Sequence, residues 1–208
     1  MRGSCGFAIL LCACDASFGG VTADAPQGSG AIDAPTRAPD GALLKPDARM
    51  NPDAPAGVGE PPELTGITLA HNEARSKVGV APLVWDPALA TIASSYVAMC
   101  IDANGDGLVD HNPNRSNGYP TYVGENIYAS SGTATGPAAV QLWVAEAQYY
   151  DYATNTCAAG QICGHYTQVV WAATQKLGCA LHNCPGLKYP STIVCDYGPG
   201  GNTGGRPY

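Results

Sequence analysis

Six cysteines, Cys100, Cys157, Cys163, Cys179, Cys184 and Cys195, lie between residues 100 and 195 of a 208-residue chain. An even set confined to one region predicts three disulfides, and so an oxidising compartment. Sequence order leaves their pairing open. The remaining cysteines, Cys5, Cys12 and Cys14, stand apart at the amino end and belong to a different kind of segment.

That segment, MRGSCGFAILLCAC, has one arginine, a short apolar stretch and a final cysteine preceded by small residues. It reads as a secretory signal over residues 1–14. Leu11-Cys12-Ala13-Cys14 resembles a bacterial lipobox, which makes Cys14 the expected lipidation site and the expected source a bacterium. Membrane attachment is then expected through lipid, because no apolar run reaches the roughly 20 residues of a spanning helix. Residues 15–62 are rich in Ala, Pro, Asp and Gly, with Asp-Ala-Pro at 24–26, 33–35 and 53–55. They lack apolar periodicity and cannot bury enough surface to offset the entropy of ordering. They read as a disordered tether with a reach of about 40 Å.

The folded part is expected over 63–208. Ile67, Ala70, Ala74 and Val78 recur at helical spacing, with Thr65 as the expected N-cap and Gly79 as the stop. A second helix starts at Asp86-Pro87, with Leu89, Ile92, Ala93, Tyr96 and Cys100 on one face. A third fits 137–152, with Val140, Trp143, Val144 and Ala147 inward. The β-branched runs QVVWAATQKLGCALH (168–182) and STIVCDYG (191–198) read as strands. Helices followed by strands predict an α+β domain. Charged residues make up only 13% of the chain and the net charge is −7. No basic stripe is available for phosphates, so nucleic acid is excluded as a partner.

In so charge-poor a domain the acids and histidines stand out. Asp102, Asn104, Asp106 and Asp110, with Gly107 between them, match the opening positions of a calcium loop; the Leu108 carbonyl falls at the backbone-ligand position. Pro113 occupies the place of the closing bidentate glutamate, and the alternative is a turn that caps its own backbone. His71, four residues before Arg75, is expected to fix its helix against the domain, while nothing marks out His182. His111, Glu125, Glu146 and His165 have the chemistry of a zinc site with an open position. Their spacing alone does not bring them together.

Several stretches, in order, resemble the CAP superfamily, the SCP domain of cysteine-rich secretory proteins, antigen 5 and pathogenesis-related 1 proteins. GHYTQVVWAAT (164–174) resembles its first signature, and IVCDYGPGGN (193–202) its second. HNEAR (71–75), LVWDPAL (83–89), GENIY (124–128), Trp143-Val-Ala-Glu146 and GCALHNC (178–184) agree. Asp196 departs from the pattern, standing where a neutral or basic polar residue is usual. The resemblance implies a three-layer α-β-α sandwich and a cleft carrying His111, Glu125, Glu146 and His165. It also implies the disulfides Cys100–Cys184, Cys157–Cys163 and Cys179–Cys195. The calcium-like loop is not a general feature of the family.

The function this implies is an exported, lipid-anchored binding module for a lipid, a sterol-like molecule or a cell-surface component. Zn²⁺ would sit at His111 and His165, and Ca²⁺ in the 102–110 loop. Two alternatives stay open. One is a metal-dependent peptidase or esterase in which Glu125 or Glu146 takes the proton of a metal-bound water. The other is a structural or adhesion domain of the cell envelope.

Overall fold

A computed structural model of the chain describes residues 59–208. The signal, Cys14 and the tether as far as residue 58 lie outside the described residues. Four residues assigned to the tether belong to the folded unit, because Glu60 Oε2 and Oε1 accept from Gly66 N (3.0 Å) and Thr68 N (2.7 Å). These are the amides that open the first helix, α1 (Ile67–Lys77). The expected cap, Thr65, turns its hydroxyl back to Pro62 O instead. Gly66 takes the N-cap position at φ +86°, a conformation that costs glycine little.

A two-residue strand, β1 (Val84–Trp85), leads into α2 (Pro87–Val97). Here the sequence reading holds in detail: Asp86 Oδ1 accepts from Ala88 N and Leu89 N, and Pro87 fills the first turn. Strand β2 (Gly124–Ser130) follows a long loop, and was not anticipated. The third helix, α3 (Gly136–Ala145), is capped by Thr135 and stops seven residues short of the expected end, tightening into a 3₁₀ turn over Glu146–Tyr149. A small hairpin of β3 (Tyr150–Asp151) and β4 (Thr156–Cys157) precedes α4 (Gly164–Val169). Residues 168–175, expected as strand, are instead the end of α4 and a loop; strand β5 spans Lys176–Asn183 and pairs with β6 (Ser191–Gly198).

The sheet runs β1-β5-β6-β2, antiparallel except for the β1–β5 pair. Its two faces bury different partners. Leu177 and Cys179 of β5 and Ile193, Cys195 and Tyr197 of β6 pack with α1, α3 and α4. The alternate residues Ala180, Val194 and Ile127 pack with Ala93 and Val97 of α2. This period-two switch makes the sheet the middle of three layers, the sandwich that the resemblance implies. Gly178 sets the spacing on the α2 side, since a Cβ there would meet the Ala90 nitrogen at 2.2 Å. The disulfides join Cys100–Cys184, Cys157–Cys163 and Cys179–Cys195. The first ties the end of α2 to the end of β5, beside the loop carrying His111.

Candidate functional site

Glu146 stands where α3 tightens into its 3₁₀ turn, facing the amino end of α4. Its Oε2 accepts from His165 N (3.0 Å) and Tyr166 N (3.1 Å), two amides with no partner inside a helix. Oε1 accepts from His165 Nδ1–H at 2.6 Å. A single carboxylate therefore starts α4 and orients its histidine. The ring lies nearly parallel to Trp143, centroids 6.3 Å apart at 17°. With Nδ1 donating, Nε2 is the bare nitrogen, and it has no protein partner among the described residues.

A second pair repeats this contact. Glu125 Oε1 on β2 accepts from His111 Nδ1–H (2.6 Å) and Asn112 N (2.9 Å). The Glu125 side chain is 1% exposed and that of His111 58%. Tyr96 of α2 donates to the His111 carbonyl at 3.1 Å, so the loop is docked from both sides. Here too Nε2 has no protein partner among the described residues.

From the His165 carbonyl runs a hydrogen-bond relay that the sequence reading missed. Asn126, next to Glu125 but on the opposite face of β2, donates to His165 O and to the Tyr197 hydroxyl, both at 3.1 Å. Tyr197 donates to His71 Nε2, and His71 Nδ1–H donates to Ile67 O, both at 2.8 Å. Burial holds His71 at about 4, against the backbone bond that raises it, so it is neutral in this relay. It fixes α1 to the sheet, as expected. Arg75, one turn on, is buried and spends its guanidinium on four carbonyls: Ala81, Val169, Trp171 and Thr174, at 2.6–2.9 Å. Three of these lie in the turn that ends α4. Gln168 accepts from Gly201 N and donates to Thr174 Oγ1.

The expected tetrad is thus two histidine–carboxylate pairs, one approaching β2 from each face of the sheet. Among the described residues no group of three or more His, Cys, Asp or Glu is arranged to hold a metal. The fit to Zn²⁺ is through the imidazoles: each carries its proton on Nδ1, engaged by a carboxylate, and presents a bare Nε2. That is the outer-shell arrangement of zinc histidines. Both Glu146 oxygens and Oε1 of Glu125 are taken by these donors, and Glu125 Oε2 is buried.

The calcium-like loop spends its oxygens on itself. Asp102 accepts from Gly105 N, Asp106 N and Gly107 N, and Asp106 from Leu108 N. Asp110 accepts from Ala103 N and Asn104 Nδ2, and Asn104 from Asp106 N. These are self-capping turns.

Beside His111, between α2 and the loop over 101–114, opens a cavity of about 680 Å³. Ile92, Tyr96, Met99 and Ile101 give it an apolar wall, while Thr91, Ser95, His111 and Asn112 supply polar groups. Met99 is 57% exposed at its mouth. Concave, apolar sites with a few convergent polar groups are the usual form of small-molecule sites.

Comparison with known proteins gives the family and the fold. Residues 68–197 match the model of the cysteine-rich secretory protein family, CAP. Pathogenesis-related protein 1B of Nicotiana tabacum is 45% identical over 141 residues, covering 67% of this chain and 77% of its own. The PR-1 type protein of Sambucus nigra is also 45% identical, covering 67% and 78%. Among solved structures, Schistosoma mansoni venom allergen-like protein 4 superposes with a TM-score of 0.58 at 25% identity, covering 72% of this chain and 95% of its own. NaASP2 with Zn²⁺ gives 0.52 at 26%, covering 68% and 82%. The curated relatives named here are plant proteins and lend no support to a bacterial source. Among the described residues no helix is long and apolar enough to cross a membrane. By sequence, fold and disulfide pattern, the chain belongs to the cysteine-rich secretory protein (CAP) family.

Proposed function

We propose that this CAP domain is an extracellular binding module. Its ligand is an amphiphile, with an apolar body in the 680 Å³ cavity and a polar head beside His111. The observation that carries this reading is the position of the cavity, whose lining joins an apolar wall to His111, the histidine of one of the two pairs. A divalent metal is the second ligand, taken by Nε2 of His111 and His165 around the outer edge of β2, the last strand of the sheet; the similarity to NaASP2 with Zn²⁺ supports this part. Bound there, the metal would supply a positive charge for an anionic head group.

The binding reading is favoured over the hydrolase because both Glu146 oxygens, and Oε1 of Glu125, are already held by donors. Neither glutamate is placed to take a proton from a metal-bound water. Export with lipid attachment at Cys14 belongs to the same proposal, and the mass of the mature amino terminus tests it. Calcium in the 102–110 loop would have to displace the loop's own turn bonds. Melting with and without Ca²⁺, in wild type and Asp106→Ala, decides that point.

The main experiment is organic extraction of purified full-length protein followed by mass spectrometry. A stoichiometric amphiphile, lost in Ile92→Glu, is expected. An empty protein that also fails to take up fluorescent fatty acid or sterol overturns the reading. Calorimetric titration with Zn²⁺ should show binding that His111→Ala and His165→Ala each remove.

A further inference from the structure

Three buried carboxyl oxygens on the α2 face of the sheet have no hydrogen-bond partner among the described residues: Glu125 Oε2 and both oxygens of Asp196. Asp196 is fully buried. It stands directly opposite Glu125 in the antiparallel β2–β6 register. The two side chains therefore leave the same face, with Cβ atoms about 5 Å apart. Ile127, Val194, Ala93 and Val97 make the surroundings apolar. Two carboxylates this close in a dry site do not both ionise. One keeps a proton.

The hydrogen bonds decide which. Glu125 Oε1 accepts two donors, His111 Nδ1–H and Asn112 N–H, and both stabilise its anion. Asp196 accepts none. Arg115 is the cation that draws on Asp196, but its guanidinium is taken by Val123 O, Asn112 O and the Tyr122 hydroxyl. On β5 the residue opposite Asp196 is Gly178, which offers nothing to titrate. From α2, Tyr96 faces Glu125, while Asp86 at the helix start is paired with Lys176 at 3.0 Å. Tyr197, the next residue of β6, points to the other face and stays neutral through burial.

We propose that Asp196 is protonated in the folded protein and donates to Glu125 Oε2, forming a His111–Glu125–Asp196 chain in which Asp196 is a positioning residue for His111. One proton gives Glu125 Oε2 its missing donor and Asp196 a partner. It also locks the glutamate so that Oε1 stays on the imidazole. Burial, then the Glu125 charge, push Asp196 up to about 8 against the pull of Arg115. A neutral acid also suits a position where the family resemblance expects a neutral or basic polar group. No ligand enters the chain, so its failure would leave the binding reading untouched.

The test is NMR of the full chain labelled at the aspartate carboxyl carbons and at histidine nitrogen. Asp196 is expected in its protonated form at pH 6, with a midpoint near 8. The His111 Nδ1–H resonance should move with that same midpoint in wild type and hold still in Asp196→Asn, which keeps a neutral donor. If the Asn variant fails to fold, coincidence of the two midpoints in wild type carries the test. An Asp196 carboxyl ionised at pH 6, or a His111 resonance indifferent to its titration, overturns the proposal.

Discussion

The two histidine–carboxylate pairs share one contact, a 2.6 Å bond from Nδ1, and differ in everything behind it. Glu146 has both oxygens filled by α4 and its histidine, and sits in partial contact with water. Glu125 is buried, with one oxygen filled from the His111 loop and the other facing a second buried acid. The His165 ring is backed by Trp143, whereas the His111 ring stands more than half exposed. One pair is held by a helix end and the other by a strand. Identical first contacts can thus rest on supports that fail under different conditions.

The largest break in this comparison comes from the His165 side. Replacing Arg75 with Met leaves carbonyls of Ala81, Val169, Trp171 and Thr174 without their donor. Trp171 O keeps the Thr174 amide as a donor, and the other three acceptors cost about 1–3 kcal/mol each when left unpaired, so the loss should be about 3–9 kcal/mol. Denaturant unfolding measures it. Amide exchange should show α4 opening first, with the His111 loop still protected. Equal loss of protection at both sites would mean that Arg75 does not distinguish them.

The complementary cut is Cys100→Ala with Cys184→Ala. This bridge closes a separation of 84 residues, next to the loop carrying His111. Its removal should cost about 3 kcal/mol and loosen His111 before His165. The same exchange experiment reads the order.

Why one support was legible and the other was not follows from sequence distance. The α2 start announced itself, because Asp86 caps amides only two and three residues away. The run after His165 misled, because its β-branched residues favour strand while the groups that make it helical, Glu146 and Arg75, are remote. Glu146 acts from 19 residues away and Arg75 from 94 or more. His111, Glu125, Glu146 and His165 were found through family resemblance, since no local pattern joins them. Asn126 and Tyr197 were passed over for a similar reason: the Tyr197–His71 bond spans 126 residues. Asp196 was noticed only as a departure from pattern. Its meaning needed the strand register.

A smaller effect sharpens the chemistry. In Glu146→Gln the amide keeps one acceptor and loses the charge that holds His165 Nδ1–H. Outer-shell changes of this kind weaken zinc binding by about tenfold or more. Glu125→Gln should weaken it comparably, yet with a lower stability cost, because the new amide can itself donate to Asp196. Calorimetry with Zn²⁺ alone, beside urea midpoints, separates the two; equal stability costs would show that Asp196 is not coupled to Glu125.

The last effect is a slope. His71 is depressed from 6.5 to about 4 in the folded state, so its contribution is present above pH 6.5 and lost as pH falls through 4. Asp196 is raised from 3.8 to about 8, so its contribution is full below 3.8 and lost as pH rises through 8. Between about pH 4 and 6.5 the two slopes oppose each other, one proton against one proton, and stability changes little on their account. Above 6.5 only Asp196 still acts, and the folding constant should fall by up to about tenfold per pH unit until 8. Asp196→Asn removes this decline, so its advantage over wild type should be near zero at pH 4 and greatest at pH 8. Urea midpoints at pH 4.5, 6.5 and 8 measure both curves. A gap that does not change with pH would mean that Asp196 is ionised throughout, and that His111 stands on Glu125 alone.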